Sequence, residues 1–223
     1  MFDSAERLAR VIDHTLVRPD ATIDDLTAAC RAAQQYRFAA LILNSWQIGR
    51  ARDLLASSGV AIGAVVGFPH GSCTTAVKIF EAMEAMKNGA TELDIMINLG
   101  MLKSGRLDLV EIDVKNVIAM TKGMTHKVII ECSALSAAEL ADVCRIAARA
   151  GAAFIKTSTG YGSRGATIED IQTIRTAVGT LCRIKASGGV RDLATLEALV
   201  DAGADRIGTS SGPAIMEEYR SKR

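Results

Sequence analysis

Arg149-Ala-Gly-Ala-Ala-Phe-Ile-Lys-Thr-Ser-Thr-Gly160 decides the fold. It follows an amphipathic run whose apolar positions, Leu140, Val143, Cys144 and Ala147, recur at helical spacing. Gly151 is the residue type that tolerates a left-handed backbone just past a helix end, and a short β-rich run begins at Phe154. The same joint recurs as Gly89-Ala90 before Leu93 and as Gly203-Ala204 before Ile207, so one helix-to-strand unit is repeated along the chain.

Along the chain, β-rich runs begin near Ile12, Phe38, Ala61, Glu92, Lys127, Phe154, Arg183 and Arg206, at a mean spacing of about 28 residues. Helical segments lie between them, including one carrying Ile79, Met83 and Met86. Thr22-Ile-Asp-Asp25, Ser136-Ala-Ala-Glu139 and Thr167-Ile-Glu-Asp170 each pair a short oxygen acceptor with an acid three residues on, the pattern that opens a helix. Eight such units predict an α/β protein, a (β/α)8 TIM barrel forming a single domain over 1–223. A short helix is expected at about 3–10 and a C-terminal tail at about 217–223. A doubly wound open sheet competes, but its glycine fingerprint would sit in the first unit, and here the glycine-rich turns fall in the last ones.

Composition narrows the function classes. The 223 residues are 49% hydrophobic and 23% charged, which supports one sizeable core and excludes a disordered chain. A net charge of +1 gives no overall field for nucleic acid or an anionic membrane. The longest apolar run, Val60 to Phe68, is far below the ~20 residues that span a bilayer, and the first residues lack the pattern of a signal peptide. Five cysteines, Cys30, Cys73, Cys132, Cys144 and Cys182, are scattered with no C-x-x-C pair, so the chain reads as cytoplasmic. His14, His70 and His126 fall on different units with no carboxylate at ligand spacing, so neither a metal nor another cofactor is expected. Trp46, Met83, Met86 and Met96 read as packing residues.

Strand alternation then assigns the interior. In Glu92-Leu-Asp-Ile-Met-Ile-Asn98 the apolar Leu93, Ile95 and Ile97 face the helices, which sends Asp94, Met96 and Asn98 toward the barrel axis. The same phase turns Lys156 and Lys185 inward, and adds Glu131, Asn44, Asp13 and Thr15. Inward charges at strand ends are costly for stability and sit where barrel enzymes keep their chemistry. A lysine of ordinary pKa, about 10.4, is protonated at neutral pH; lowering it by ~3 units to make it a nucleophile is worth ~4 kcal/mol. A second ammonium ~5 Å away at an effective dielectric of ~20 supplies ~3 kcal/mol of that. Lys156, Lys185 and Asp94 are therefore the candidate catalytic set, with Asp94 as the acid/base partner of an imine-forming lysine. Gly160, Gly188 and Gly189, with Gly208, Ser210 and Ser211, form glycine- and serine-rich turns suited to holding a phosphate, and Asn44 and Thr15 complete the candidate binding set.

Ile12 to Leu16 (IDHTL), Val65 to Gly71 (VVGFPHG), Glu92 to Lys103 (ELDIMINLGMLK), Phe154 to Gly160 (FIKTSTG), Lys185 to Arg191 (KASGGVR) and Arg206 to Gly212 (RIGTSSG) together resemble the deoxyribose-phosphate aldolase family, over about residues 8 to 215. The resemblance implies a metal-free class I aldolase that reversibly cleaves 2-deoxy-D-ribose 5-phosphate to D-glyceraldehyde 3-phosphate and acetaldehyde, usually in deoxynucleoside catabolism. It implies that Lys156 is the Schiff-base nucleophile, Lys185 the cation that lowers its pKa, and Asp94 the proton-relay acid. The phosphate pocket would comprise Gly160, Gly188, Gly189, Gly208, Ser210 and Ser211, with Arg191 as a helper. The family's members are commonly dimers or larger, so a homo-oligomer is expected, with a small sugar phosphate as the other partner. Departures fall at Ile42 and Ser45, at Cys132 and at Arg164, on the aldehyde side and in a loop. They keep open a sibling imine-forming aldolase for another phosphorylated aldehyde; a sugar-phosphate-binding barrel without catalysis is the third reading.

Overall fold

Short parallel strands need cover on both faces; here the helix that returns after nearly every strand covers the outer face, and closure of the sheet encloses the inner one. The computed structural model describes residues 2–222. Its strands are β1 (Ile12–Leu16), β2 (Ala40–Leu43), β3 (Ala61–Val66), β4 (Glu92–Met96), β5 (Thr125–Ile129), β6 (Phe154–Lys156), β7 (Arg183–Ser187) and β8 (Arg206–Thr209). Each pairs in parallel with its sequence neighbours, and β8 pairs with β1 to close the barrel. The main outer helices are α2 (Ile23–Tyr36), α3 (Ile48–Leu54), α4 (Thr75–Asn88), α6 (Leu107–Met120), α7 (Ala137–Arg149), α8 (Ile168–Val178), α9 (Leu193–Asp201) and α10 (Gly212–Ser221). Two five-residue helices, α1 (Ala5–Ala9) and α5 (Leu99–Lys103), supplement them.

The three expected capping boxes form, each with the reciprocal hydrogen bonds, and open α2, α7 and α8. Gly89, Gly151 and Gly203 all take positive φ where their helices end. Differences are local. β2 starts at Ala40 because Arg37 ends α2 in the left-handed region and the Phe38 amide closes that turn on the Ala33 carbonyl. β5 starts earlier than Lys127, at Thr125, whose amide bonds the Thr91 carbonyl. The expected tail is mostly helical: Ile215, Met216 and Tyr219 give α10 a buried side, and the Tyr219 hydroxyl donates to the Phe2 carbonyl at 3.2 Å.

Outward strand residues such as Leu41, Leu93, Ile95, Val128, Ile155, Ile184 and Ile207 join the buried faces of the helices in one cluster. Inside the barrel a small apolar group, Ala40, Ile42 and Val65, covers one side only. Gly63 makes room for it, since a Cβ there would run into Ile42. Behind the strand ends, fully buried Lys78 on α4 reaches Asp113 on α6 at 2.5 Å and the Met96 carbonyl of β4 at 2.8 Å. α4 turns Lys78, Ala82 and Ala85 to the barrel, so Met83 and Met86 lie on its outer side with Val77 and Phe80, the last 70% exposed. Trp46, on the 3-10 turn packed beside α4, is also exposed; of the four residues expected to pack inside, Met96 alone is buried.

Candidate active site

Register builds the site. Lys156 on β6 pairs across to Lys185 on β7, Lys185 to Arg206 on β8, and Asp94 on β4 to Lys127 on β5. Side chains at matched heights on a closed barrel converge on the axis, so these groups meet. Asp94 receives Lys156 at 2.8 Å and Lys185 at 2.6 Å on Oδ2, and Lys127 at 2.8 Å on Oδ1. Asp13 takes Lys185 at 2.6 Å, Lys127 at 3.4 Å and the Arg206 guanidinium. Glu92 takes Lys127 at 2.5 Å and Arg206 at 3.4 Å. The sequence reading missed Lys127, Glu92 and Arg206 as members of this cluster. Lys127 was legible, because it shares the inward phase assigned to Glu131 on the same strand; Glu92 shares that of Asp94.

Counting charge explains which lysine is different. Asp13, Glu92 and Asp94 face Lys127, Lys156, Lys185 and Arg206, so one basic group exceeds the acids, and the guanidinium cannot be the one to lose its proton. Among the described residues Lys127 touches three carboxylates and Lys185 two, whereas Lys156 touches Asp94 alone. Burial is the largest effect on Lys156; with Lys185 and Lys127 it outweighs the opposing pull of Asp94 and holds the amine down to about 8. Burial thus contributes more than the cationic neighbour that the sequence argument relied on. Burial works against Lys127 too, yet Asp94, Asp13 and Glu92 overcome it and hold that lysine above its usual range. Asp94 is held well below the carboxylate range: burial raises it, and the three lysines more than reverse that. The nitrogen of Lys156 lies 5.8 Å from the centre of the Phe68 ring, which Tyr161 meets edge-on.

Above the cluster opens a cavity of about 510 Å³. Lys156 reaches it, and so do Thr15, Gly160, Gly188, Gly189, Gly208, Ser210 and Arg191 of the residues expected from sequence, together with Arg18, Thr159 and Tyr161. Asp94 and Lys185 lie fully buried beneath. Gly208 has a second reason to be glycine, because a Cβ there would come within 3.0 Å of the Lys185 side chain. Ser211 is outside the lining, and its amide is already given to the Thr209 hydroxyl at 2.9 Å. Asn44 is outside as well, with its amide nitrogen on the Arg18 carbonyl at 3.4 Å. Neither Ile42, Ser45, Cys132 nor Arg164 lines the cavity, and Arg164 is engaged with Asp170 at 2.5 Å. Glu131 departs from the inward cluster: it stands beyond the end of β5 at φ 54 and bonds the loop after β6.

Among the described residues no group of three or more His, Cys, Asp or Glu side chains is placed to hold a metal. His126 bonds the Thr121 hydroxyl and His14 packs on the Phe38 ring. Nor, among the described residues, is any helix long and apolar enough to cross a membrane.

A closed parallel barrel with paired lysines beneath a glycine-lined mouth has the form of a barrel enzyme whose chemistry lies at the C-terminal ends of its strands. Residues 7–218 match the model of the DeoC/LacD family aldolases, and the chain belongs to that family. It is therefore an aldolase, a lyase of carbon–carbon bonds. A deoxyribose-phosphate aldolase of Coprothermobacter proteolyticus is 48% identical over 211 residues, covering 95% of this chain and 96% of the relative. One of Methanothermobacter thermautotrophicus is 46% identical over 219 residues, covering 98% and 97%. The solved structure described as the unique tetrameric structure of deoxyribose phosphate aldolase from Aeropyrum pernix superposes with a TM-score of 0.93 at 33% identity, covering all of this chain and 94% of that one.

Proposed function

We propose that this aldolase works through an imine on Lys156 and that its substrate is 2-deoxy-D-ribose 5-phosphate, cleaved reversibly to D-glyceraldehyde 3-phosphate and acetaldehyde. The single observation that carries the reading is Lys156: of the three clustered lysines it is the one that opens to the cavity, and burial holds its amine down to about 8. Its free amine adds to the C1 aldehyde, and loss of water gives an iminium. Removal of the C3 hydroxyl proton lets the C2–C3 bond break. The C3 fragment leaves as an aldehyde carrying the phosphate, and the electron pair forms the C1–C2 enamine. Protonation at C2 and hydrolysis then release acetaldehyde and restore the lysine. Asp94 is the proton relay of this scheme: it is a carboxylate at rest and shares one oxygen between Lys156 and Lys185. Gly160, Gly188, Gly189, Gly208 and Ser210 cradle the phosphate, and Thr15 lines the same cavity. The names of the relatives support this substrate, and neither Ile42 nor Ser45 lines the cavity.

An oligomer of like chains, as described for the Aeropyrum protein, is supported here by the apolar outer side of α4, which a second copy would cover. The expected result is acetaldehyde release from the purified protein, insensitive to a chelator and abolished in Lys156→Ala, from a species that light scattering weighs above one chain. Full activity in Lys156→Ala, or loss of activity with chelator, would overturn the chemistry; a monomeric mass would overturn the assembly alone.

A further inference from the structure

Glu131 is a buried acid that the lysine cluster does not use. It is 5% exposed and sits in the left-handed region, where a residue with a side chain is strained. Its carboxylate accepts the Thr159 amide at 3.0 Å, the Thr159 hydroxyl, and the Ser133 hydroxyl at 2.9 Å. The Thr159 hydroxyl oxygen in turn accepts the Tyr161 amide at 3.0 Å. Gly160, at φ 89, is held between these two anchored residues, and all three line the cavity. On the other flank a Cβ at Gly162 would lie 2.6 Å from the Glu131 carboxylate and 2.5 Å from the Ser133 hydroxyl, so the loop closes around the acid from both sides. Lys156 makes none of these hydrogen bonds; strand pairing and Asp94 fix it.

We propose that Glu131 is a positioning residue for the phosphate end of the site, setting the Thr159–Tyr161 backbone to meet a phosphoryl group without touching the substrate or the lysine centre. The inference rests on the placement of Gly160 in the phosphate cradle given above. It separates two properties a general structural role would couple, phosphate recognition and imine formation.

The test compares 2-deoxy-D-ribose 5-phosphate with unphosphorylated 2-deoxy-D-ribose, and measures deuterium exchange from heavy water into the methyl group of acetaldehyde, which needs the imine but no phosphate. In Glu131→Ala the KM for the phosphorylated sugar should rise about tenfold or more, by loss of charge-assisted loop hydrogen bonds, with kcat little changed. The preference for the phosphorylated sugar should fall by the same factor, and exchange should stay at the native rate. Glu131→Gln should recover most of the preference, because one amide oxygen can accept both Thr159 donors. Gly162→Ala, which pushes the carboxylate off the loop from outside, should show the same selective loss in smaller measure, and it decides the question should Glu131→Ala fold poorly. Equal losses on both sugars, or an unchanged preference in both Ala variants, would overturn the proposal. Absence of exchange in the native protein would overturn the imine reading instead, while the ratio of the two sugars still decides the role of Glu131.

Discussion

At the scale of single residues, Lys156 differs from its neighbours by geometry more than by identity. Lys127, Lys156 and Lys185 are all buried and all touch Asp94, but among the described residues only Lys156 has no second acid to hold its proton. The neutral amine is the reactive form, so the rate of imine formation should rise with pH through about 8 and level off above it. Lys185→Leu removes a repelling charge and leaves Asp94 freer to hold the Lys156 proton, so this limb should move to higher pH. Each whole pH step it moves lowers the rate at neutral pH about tenfold, and a pH–rate profile of both proteins reads the change. The linked effect on stability has a definite sign: the folded value lies below that of an unfolded lysine, about 10.4, so the contribution is complete above that value and is lost as pH falls through about 8. Most of this residue chemistry was legible beforehand, because alternation along short strands fixes which side chain faces the axis. Arg206 was not, since a charged first residue of a strand ordinarily reaches solvent; here it turns into the base of the barrel, bonding Asp13 and lying 6.0 Å from the Phe154 ring centre.

Among the elements, β4 carries the acid on which the three lysines converge, and it is held from behind as well as from its neighbours. The buried Lys78–Asp113 pair ties α4 to α6 and bonds the Met96 carbonyl at the end of β4. Removing one partner of such a pair strands a buried charge, so Asp113→Ala should destabilise the protein by about 3–5 kcal/mol in urea unfolding, and replacing both partners with apolar residues should recover much of the loss. A cost below about 1 kcal/mol would mean that water already reaches the pair. This device was not legible in the sequence: a lysine and an aspartate on separate helices look like solvent-facing charges until both helices are seen on one barrel face. The helix starts were legible because Thr22, Ser136 and Thr167 satisfy their own helices locally. The beginning of β2 was misplaced because Phe38 belongs to the closing turn of α2, a bond pattern that composition does not announce.

For the whole molecule, closing the sheet is what turns separate strand residues into one site. Asp13 on β1 and Arg206 on β8 lie at opposite ends of the sequence and are brought into contact by the β8–β1 pairing. An open sheet would leave those two strands apart and the ion cluster uncompensated. The β6–β7 pairing brings the loop after β6 against that after β7, Gly165 so near Gly188 that neither could carry a side chain unaltered, so the glycine turns form one wall of the cavity. The repeated helix-to-strand joints announced the barrel, but the exposed side of α4 was masked because Met83 and Met86 have helical spacing whichever way they face. This assembly places one lysine amine, that of Lys156, at the floor of the cavity and holds it down to about 8. The decisive measurement is reduction of the protein with borohydride in the presence of acetaldehyde, with the modified peptide mapped by mass spectrometry. A single ethyl group on the peptide containing Lys156 is the expected result; the group on Lys185 or Lys127, or no adduct in active protein, would contradict it.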